Sequence, residues 1–251
     1  MPLKPHAIFA AFLAAASMIL VMGAQAWAYK ISPVRMEIAA EAGARGVFQI
    51  TNTQSRMIAV QARVYEQFQG REPVRVHTPD DFIITPPQMV IEPGQTQTVR
   101  IQWIADRPAD REIAYRVIFE QVPVPLVFED DEDVSAYMDA AYTYETAVYV
   151  SPRGTEAAVR LDSVEHVDVD GEPRLRVTLS NTGSKRTNLV DPVLTLRSAD
   201  GESLDLVNDQ LGPLAGALLL ADGTATVDLP WPEGLAPGAV DGEFNARLVI
   251  V

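Results

Sequence analysis

Two consecutive stretches, ITPPQMVIEPGQTQTVRIQW (84–103) and REIAYRVIFEQVP (111–123), decide how this chain folds. Pro86-Pro87 precede a short apolar run, Glu92-Pro93-Gly94-Gln95 have the composition of a turn, and β-branched residues resume in QTVRIQWI (97–104) and EIAYRVIFEQV (112–122). Short β-rich runs punctuated by Pro and Gly read as strands and turns. Working outward, the same texture recurs in KISPVRMEI (30–38), GVFQITN (46–52), IAVQARVYE (58–66) and the longer AYMDAAYTYETAVYV (136–150). No helical period runs longer than about two turns. The expected fold class is all-β, built as sandwiches.

SPRGT (151–155) interrupts the strand pattern with Pro152 and Gly154, and the expected domain boundary lies there. The remainder, 156–251, holds four Asp-Gly pairs, Asp170-Gly171, Asp200-Gly201, Asp222-Gly223 and Asp241-Gly242, each expected to form a tight turn. FQITNTQS (48–55) echoes VTLSNTGS (177–184). Either Asn and Ser simply suit turns, or two related sandwiches stand in tandem.

The residue counts exclude several classes of function. The 251 residues carry 20 Lys and Arg against 34 Asp and Glu, a net charge of −14 that repels a phosphate backbone, so no nucleic-acid partner is expected. With no cysteine, disulfides, thiolate metal sites and thiol nucleophiles are out. Lys4, an apolar run from Ala7 to Met22 and AQAWA with small Ala26 and Ala28 read as a signal peptide, 1–28, cleaved after Ala28. The mature chain, 29–251, is then expected beyond the inner membrane with no membrane insertion, which the resemblance below narrows to the periplasm.

Little catalytic chemistry is legible. His77 and His166 are the only histidines beyond the leader, and neither G-x-S-x-G nor H-E-x-x-H occurs. His166 reads as an exposed hairpin residue. Asp168, Asp170 and Glu172 lack the remaining spacing of a calcium loop, and Glu129 to Asp133 read as a solvated acidic loop. No enzyme, cofactor or metal site is expected.

The two opening stretches, taken in order with ISPVRMEI (31–38), resemble periplasmic pilus and fimbrial assembly chaperones of the chaperone–usher class, PapD-like proteins. The likeness covers about 30–152. It implies two immunoglobulin-like β-sandwich domains in tandem with a cleft between them, the first (29–150) binding subunits and the second (156–251) following the linker 151–155. It also implies the function: folding pilus subunits by donor-strand complementation and delivering them to an outer-membrane usher. A secreted two-domain adhesin or surface-fibre component is the rival reading, and a sandwich-borne hydrolase a weaker one.

In 134–150, period two places Val134, Ala136, Met138, Ala140, Tyr142, Tyr144, Val148 and Val150 on one face. That face either covers the chain's own core or, toward its N-terminal end, fills a subunit's groove. The resemblance makes Met138, Ala140, Tyr142 and Tyr144 the expected donor residues. It also makes Arg35 the expected anchor of the subunit's terminal carboxylate, against the plainer reading of a snorkelling surface arginine. The family's second anchor, a lysine, falls on Ala147, so either Arg116 or Arg153 is the second cation or Arg35 holds the carboxylate alone.

Overall fold

Alternating burial along β-branched runs builds the protein, and a computed structural model describes residues 29–70, 80–105, 109–123 and 141–250. The strands of the first half are β1 (Tyr29–Ser32), β2 (Arg35–Ala39), β3 (Arg45–Asn52), β4 (Ile58–Glu66), β5 (Phe82–Thr85), β6 (Gln88–Ile91), β7 (Thr96–Trp103), β8 (Ile113–Val122) and β9 (Thr143–Ser151). They form one sheet in the order β1-β3-β7-β5 and a second in the order β2-β9-β8-β4-β6. Phe48, Ile50, Val60, Val99, Trp103, Val117, Phe119, Val148 and Val150 meet between the sheets in one buried core. Each fully buried side chain of this size contributes about 1.5–3 kcal/mol.

KISPVRMEI is two strands rather than one. The chain leaves the first sheet at the cis Ser32–Pro33 bond and enters the second as β2, which runs parallel to β9. Proline cannot donate to a ladder, so it is confined to strand ends, edges and bulges, and here it stands where one strand ends and the next begins. A second change of sheet follows the same logic at the cis Thr85–Pro86 bond between β5 and β6. The turn expected at Glu92–Gln95 is present, with Gly94 at φ 71° and the Gln95 amide donating to the Glu92 carbonyl at 3.0 Å. Where β2 crosses over β3, Met36 packs onto Gly46, where a Cβ would collide with its thioether.

The second half contains β10 (Val159–Val169), β11 (Glu172–Asn181), β12 (Thr187–Ser198), β13 (Ser203–Val207), a 3-10 turn (Asn208–Leu214), β14 (Leu218–Leu219), β15 (Thr224–Pro230) and β16 (Val240–Val249). One sheet runs β10-β11-β15; in the other, β12 lies between β16 and the pair β13 and β14. Leucines dominate the core, among them Leu175, Leu179, Leu189, Leu194, Leu196 and Leu229. Asp170-Gly171 and Asp200-Gly201 make the expected hairpins. Asp222-Gly223 turns the chain from one sheet to the other instead of closing a hairpin.

Asp241-Gly242 is no turn, because both residues lie inside β16. Its glycine serves close packing: a Cβ there would stand 2.9 Å from Val164 on the facing sheet. Nor is His166 an exposed hairpin residue. It lies within β10 with its ring edge-on to Trp231 at 4.8 Å, and its Nε2 is buried.

The echo between FQITNTQS and VTLSNTGS is structural. Asn52 Nδ2 donates to the carbonyls of Arg56 and Ile91 at 2.7 and 2.9 Å, and its Oδ1 accepts from the Gln54 amide. Asn181 repeats each contact: Nδ2 donates to Lys185 and Leu220 at 2.7 and 3.0 Å, and Oδ1 accepts from Gly183. Even the strand partners correspond, Tyr29 opposite Asn52 and Val159 opposite Asn181. The two sandwiches therefore share one buried-asparagine corner. Among the described residues the two cores share no residue, a small cluster of Ala114, Ala147, Tyr149 and Leu220 lies between them, and the chain passes from one to the other between Ser151 and Val159.

Candidate functional site

Strand parity decides which residues of the β2-β9-β8-β4 sheet look outward. On β2, Met36 and Ile38 pack into the core while Arg35, Glu37 and Ala39 are exposed on the opposite face. On β8, Tyr115 and Val117 are core residues, so Ala114 and Arg116 point out; on β9, Val148 and Val150 point in, so Ala147 and Tyr149 point out. Register then aligns Arg35 with Ala147, and Ala147 with Arg116. Neighbouring strands lie about 4.8 Å apart, so two guanidinium-bearing residues flank one small side chain on a shared face.

Of the two candidate second cations, Arg116 is thus brought beside the Arg35 row, its Nε donating to Gln67 Oε1 at 3.1 Å. Arg153 is not. It follows Ser151, which pairs with Ala39 about 13 Å further along the strands, and its guanidinium is held by Glu41 at 3.0 Å. Among the described residues the Arg35 side chain has no hydrogen-bond or ion-pair partner.

The expected donor residues divide. Met138 and Ala140 lie outside the described residues. Tyr142 is 37% exposed just ahead of β9, and its carbonyl accepts from the Gln121 amide at 2.9 Å. Tyr144 instead packs on the core, its ring 4.6 Å from that of Tyr29. Burial, then the charges of Tyr144 and Glu120, push the Tyr29 hydroxyl well above its ordinary pKa. It stays protonated and donates to the Phe119 carbonyl at 2.8 Å. β2 pairs with β9 only from Ala147 to Ser151, so among the described residues Thr143–Thr146 pair with β8 alone and leave their other edge open. An open edge is a template for another strand.

Sequence reasoning missed the polar seam that joins the domains beside this face. Lys185 Nζ and Arg186 Nη2, from the turn closed by Asn181, reach Glu37 Oε1 and Oε2 at 2.8 and 3.1 Å. Arg186 also binds Glu112 Oε2, which accepts from Ser151 Oγ at 2.7 Å, and its guanidinium lies 3.6 Å over the Tyr149 ring. Glu112 and Arg186 are 5% and 4% exposed, so each depends on the other. Burial alone would raise the Glu37 carboxyl, but hydrogen bonds from Lys185 and Arg186, and their charges, hold it below its ordinary value. Across the seam, Gln69 clips the second domain, accepting from the Leu220 amide at 2.8 Å and donating to the Leu218 carbonyl at 3.2 Å. Arg111 pairs with Asp222 nearby. One signal was available: Lys185-Arg186 is the only adjacent pair of basic residues in the chain.

Comparison with known proteins bears on the family and the fold. The family model for the pili and flagellar-assembly chaperone PapD N-terminal domain matches residues 28–156. Among solved structures, the chaperone–tip adhesion subunit pre-assembly complex CsuC-CsuE of the archaic Csu pili of Acinetobacter baumannii is similar at TM-score 0.55 and 17% identity, over 88% of this chain and 96% of that one. The class 5 fimbriae chaperone CfaA follows at TM-score 0.54 and 12% identity, over 88% and 100%. The E. coli chaperone DraB is similar at TM-score 0.51 and 16% identity, over 82% and 85%. No curated protein matches by sequence. These likenesses give the fold of two β-sandwich domains, and by the family match over its first half the chain belongs to the pili and flagellar-assembly chaperones with a PapD N-terminal domain.

Proposed function

We propose that this protein is a periplasmic, non-enzymatic chaperone that holds pilus or fimbrial subunits by donor-strand complementation and passes them to an outer-membrane usher. The observation that carries this reading is the open edge of Thr143–Thr146 directly ahead of a row in which Arg35 and Arg116 flank Ala147. A subunit strand pairing along that edge runs its terminal carboxylate to the two guanidinium groups, and a charge-assisted pair there sets the register of pairing. Met138, Ala140 and Tyr142 share the inward parity of Tyr144 and Val148, so a strand continued backward from β9 presents them to the subunit's groove. Arg116 takes the role of the lysine absent at Ala147. In this reading 1–28 is a cleaved signal, 29–150 the subunit-binding domain, 151–155 the linker and 156–251 the C-terminal domain.

The test is Arg35→Ala in the full chain. Removing one partner of a desolvated charge pair costs about 2–5 kcal/mol, so the variant is expected to fold as wild type and to lose its subunit on purification. Recovery of the chaperone–subunit complex at wild-type yield would remove Arg35 from the site.

A further inference from the structure

Arg35 is unpaired among the described residues although a carboxylate stands two positions along the same strand face. Side chains at i and i+2 of a strand point the same way about 6.6 Å apart, a span that an arginine bridges easily. Glu37 is therefore the natural internal partner for Arg35. Its two oxygens are claimed instead by Lys185 Nζ at 2.8 Å and Arg186 Nη2 at 3.1 Å, both from the second domain. Glu145, diagonal to Arg35 on β9, makes no side-chain hydrogen bond or ion pair with that domain among the described residues.

The claim on Glu37 is firmly built. Asn181 Nδ2 holds the carbonyl of Lys185 at 2.7 Å. Arg186 is fixed by Glu112 and by the Tyr149 ring. The Glu112 amide also donates to the Ser184 carbonyl at 2.8 Å. The two basic side chains thus meet Glu37 from a rigid turn.

We infer that the C-terminal domain keeps the subunit anchor available: by holding Glu37 it prevents an internal Arg35–Glu37 pair that an incoming terminal carboxylate would have to displace. Lys185 is then a positioning residue for carboxylate binding, acting through Glu37 and touching no ligand. The inference rests on the reading of Arg35 as the anchor. An exposed ion pair of ordinary strength lowers the available fraction of its arginine about two- to fivefold, and apparent affinity falls by the same factor.

The experiment uses the full chain and two synthetic probes, a peptide of alternating apolar residues ending in a free carboxylate and its C-terminally amidated twin. Wild type is expected to favour the free acid. Lys185→Met leaves the buried Arg186–Glu112 pair intact but releases one Glu37 oxygen. It should weaken free-acid binding about two- to fivefold while leaving the amide unchanged. The double variant Lys185→Met/Glu37→Gln should restore wild-type preference, which a merely structural role for Lys185 would not do. Unchanged free-acid affinity in Lys185→Met, or a failure of Glu37→Gln to rescue it, overturns the inference. If Arg35→Ala retains the preference for the free acid, the anchor reading itself falls, and the inference with it.

Discussion

Asn52 and Asn181 show how much a single buried amide organises. Each ties a turn to a distant strand end by donating to at least two carbonyls and accepting from an amide two residues on. Replacement by alanine strands those backbone groups, each costing about 1–3 kcal/mol when left without a partner. Asn52→Ala and Asn181→Ala are therefore each expected to lower the urea midpoint clearly, in separate domains. Asn181→Ala should in addition loosen Lys185 and so weaken subunit retention. A variant with an unchanged midpoint would show that solvent replaces the amide. The similarity of 48–55 to 177–184 was visible in the sequence, but polar turn residues are common enough that it carried two meanings. Only the matching hydrogen bonds separate a shared corner from coincidence.

At the scale of the element, the alternation of β9 runs back into the residue just ahead of it, and the two differ in burial. Tyr144 faces Tyr29 in the core, whereas Tyr142, two residues earlier and of the same parity, is 37% exposed. Tyr144→Asp should therefore melt several degrees below wild type, because a charge enters packed surroundings. Tyr142→Asp should melt nearly as wild type does and still lose subunit capture. Thermal unfolding and co-purification on the two variants decide the matter, and a strongly destabilised Tyr142→Asp would count against strand donation from this segment. Periodicity alone could not divide the strand, since inward-pointing residues alternate identically whether the surface they meet belongs to this chain or to another. The division becomes visible once β2 is seen to join β9 only at Ala147.

At the scale of the whole molecule, the two domains meet in a seam that mixes a buried Arg186–Glu112 pair, the half-exposed Glu37 and the Gln69 clip. The Glu37 carboxyl sits below its ordinary value, so the folded seam favours the carboxylate. Its contribution is present at neutral pH and is lost as pH falls from about 4.5 downward through the lowered value. Scattering measurements on wild type and Glu37→Gln should show the wild type opening more steeply over that range, and identical pH profiles would exclude Glu37 from the seam's stability. By itself the sequence determined the all-β class and the turns at Glu92–Gln95, Asp170-Gly171 and Asp200-Gly201, because alternation and turn chemistry act between near neighbours. Tertiary structure alone decided that KISPVRMEI divides between two sheets, that Asp241-Gly242 stays extended against Val164, that Arg116 rather than Arg153 stands beside the Arg35 row, and that Lys185 and Arg186 reach Glu37. Each of these depends on register or on contact between residues far apart in the chain, and pairing at that distance is set by which whole faces can be buried together.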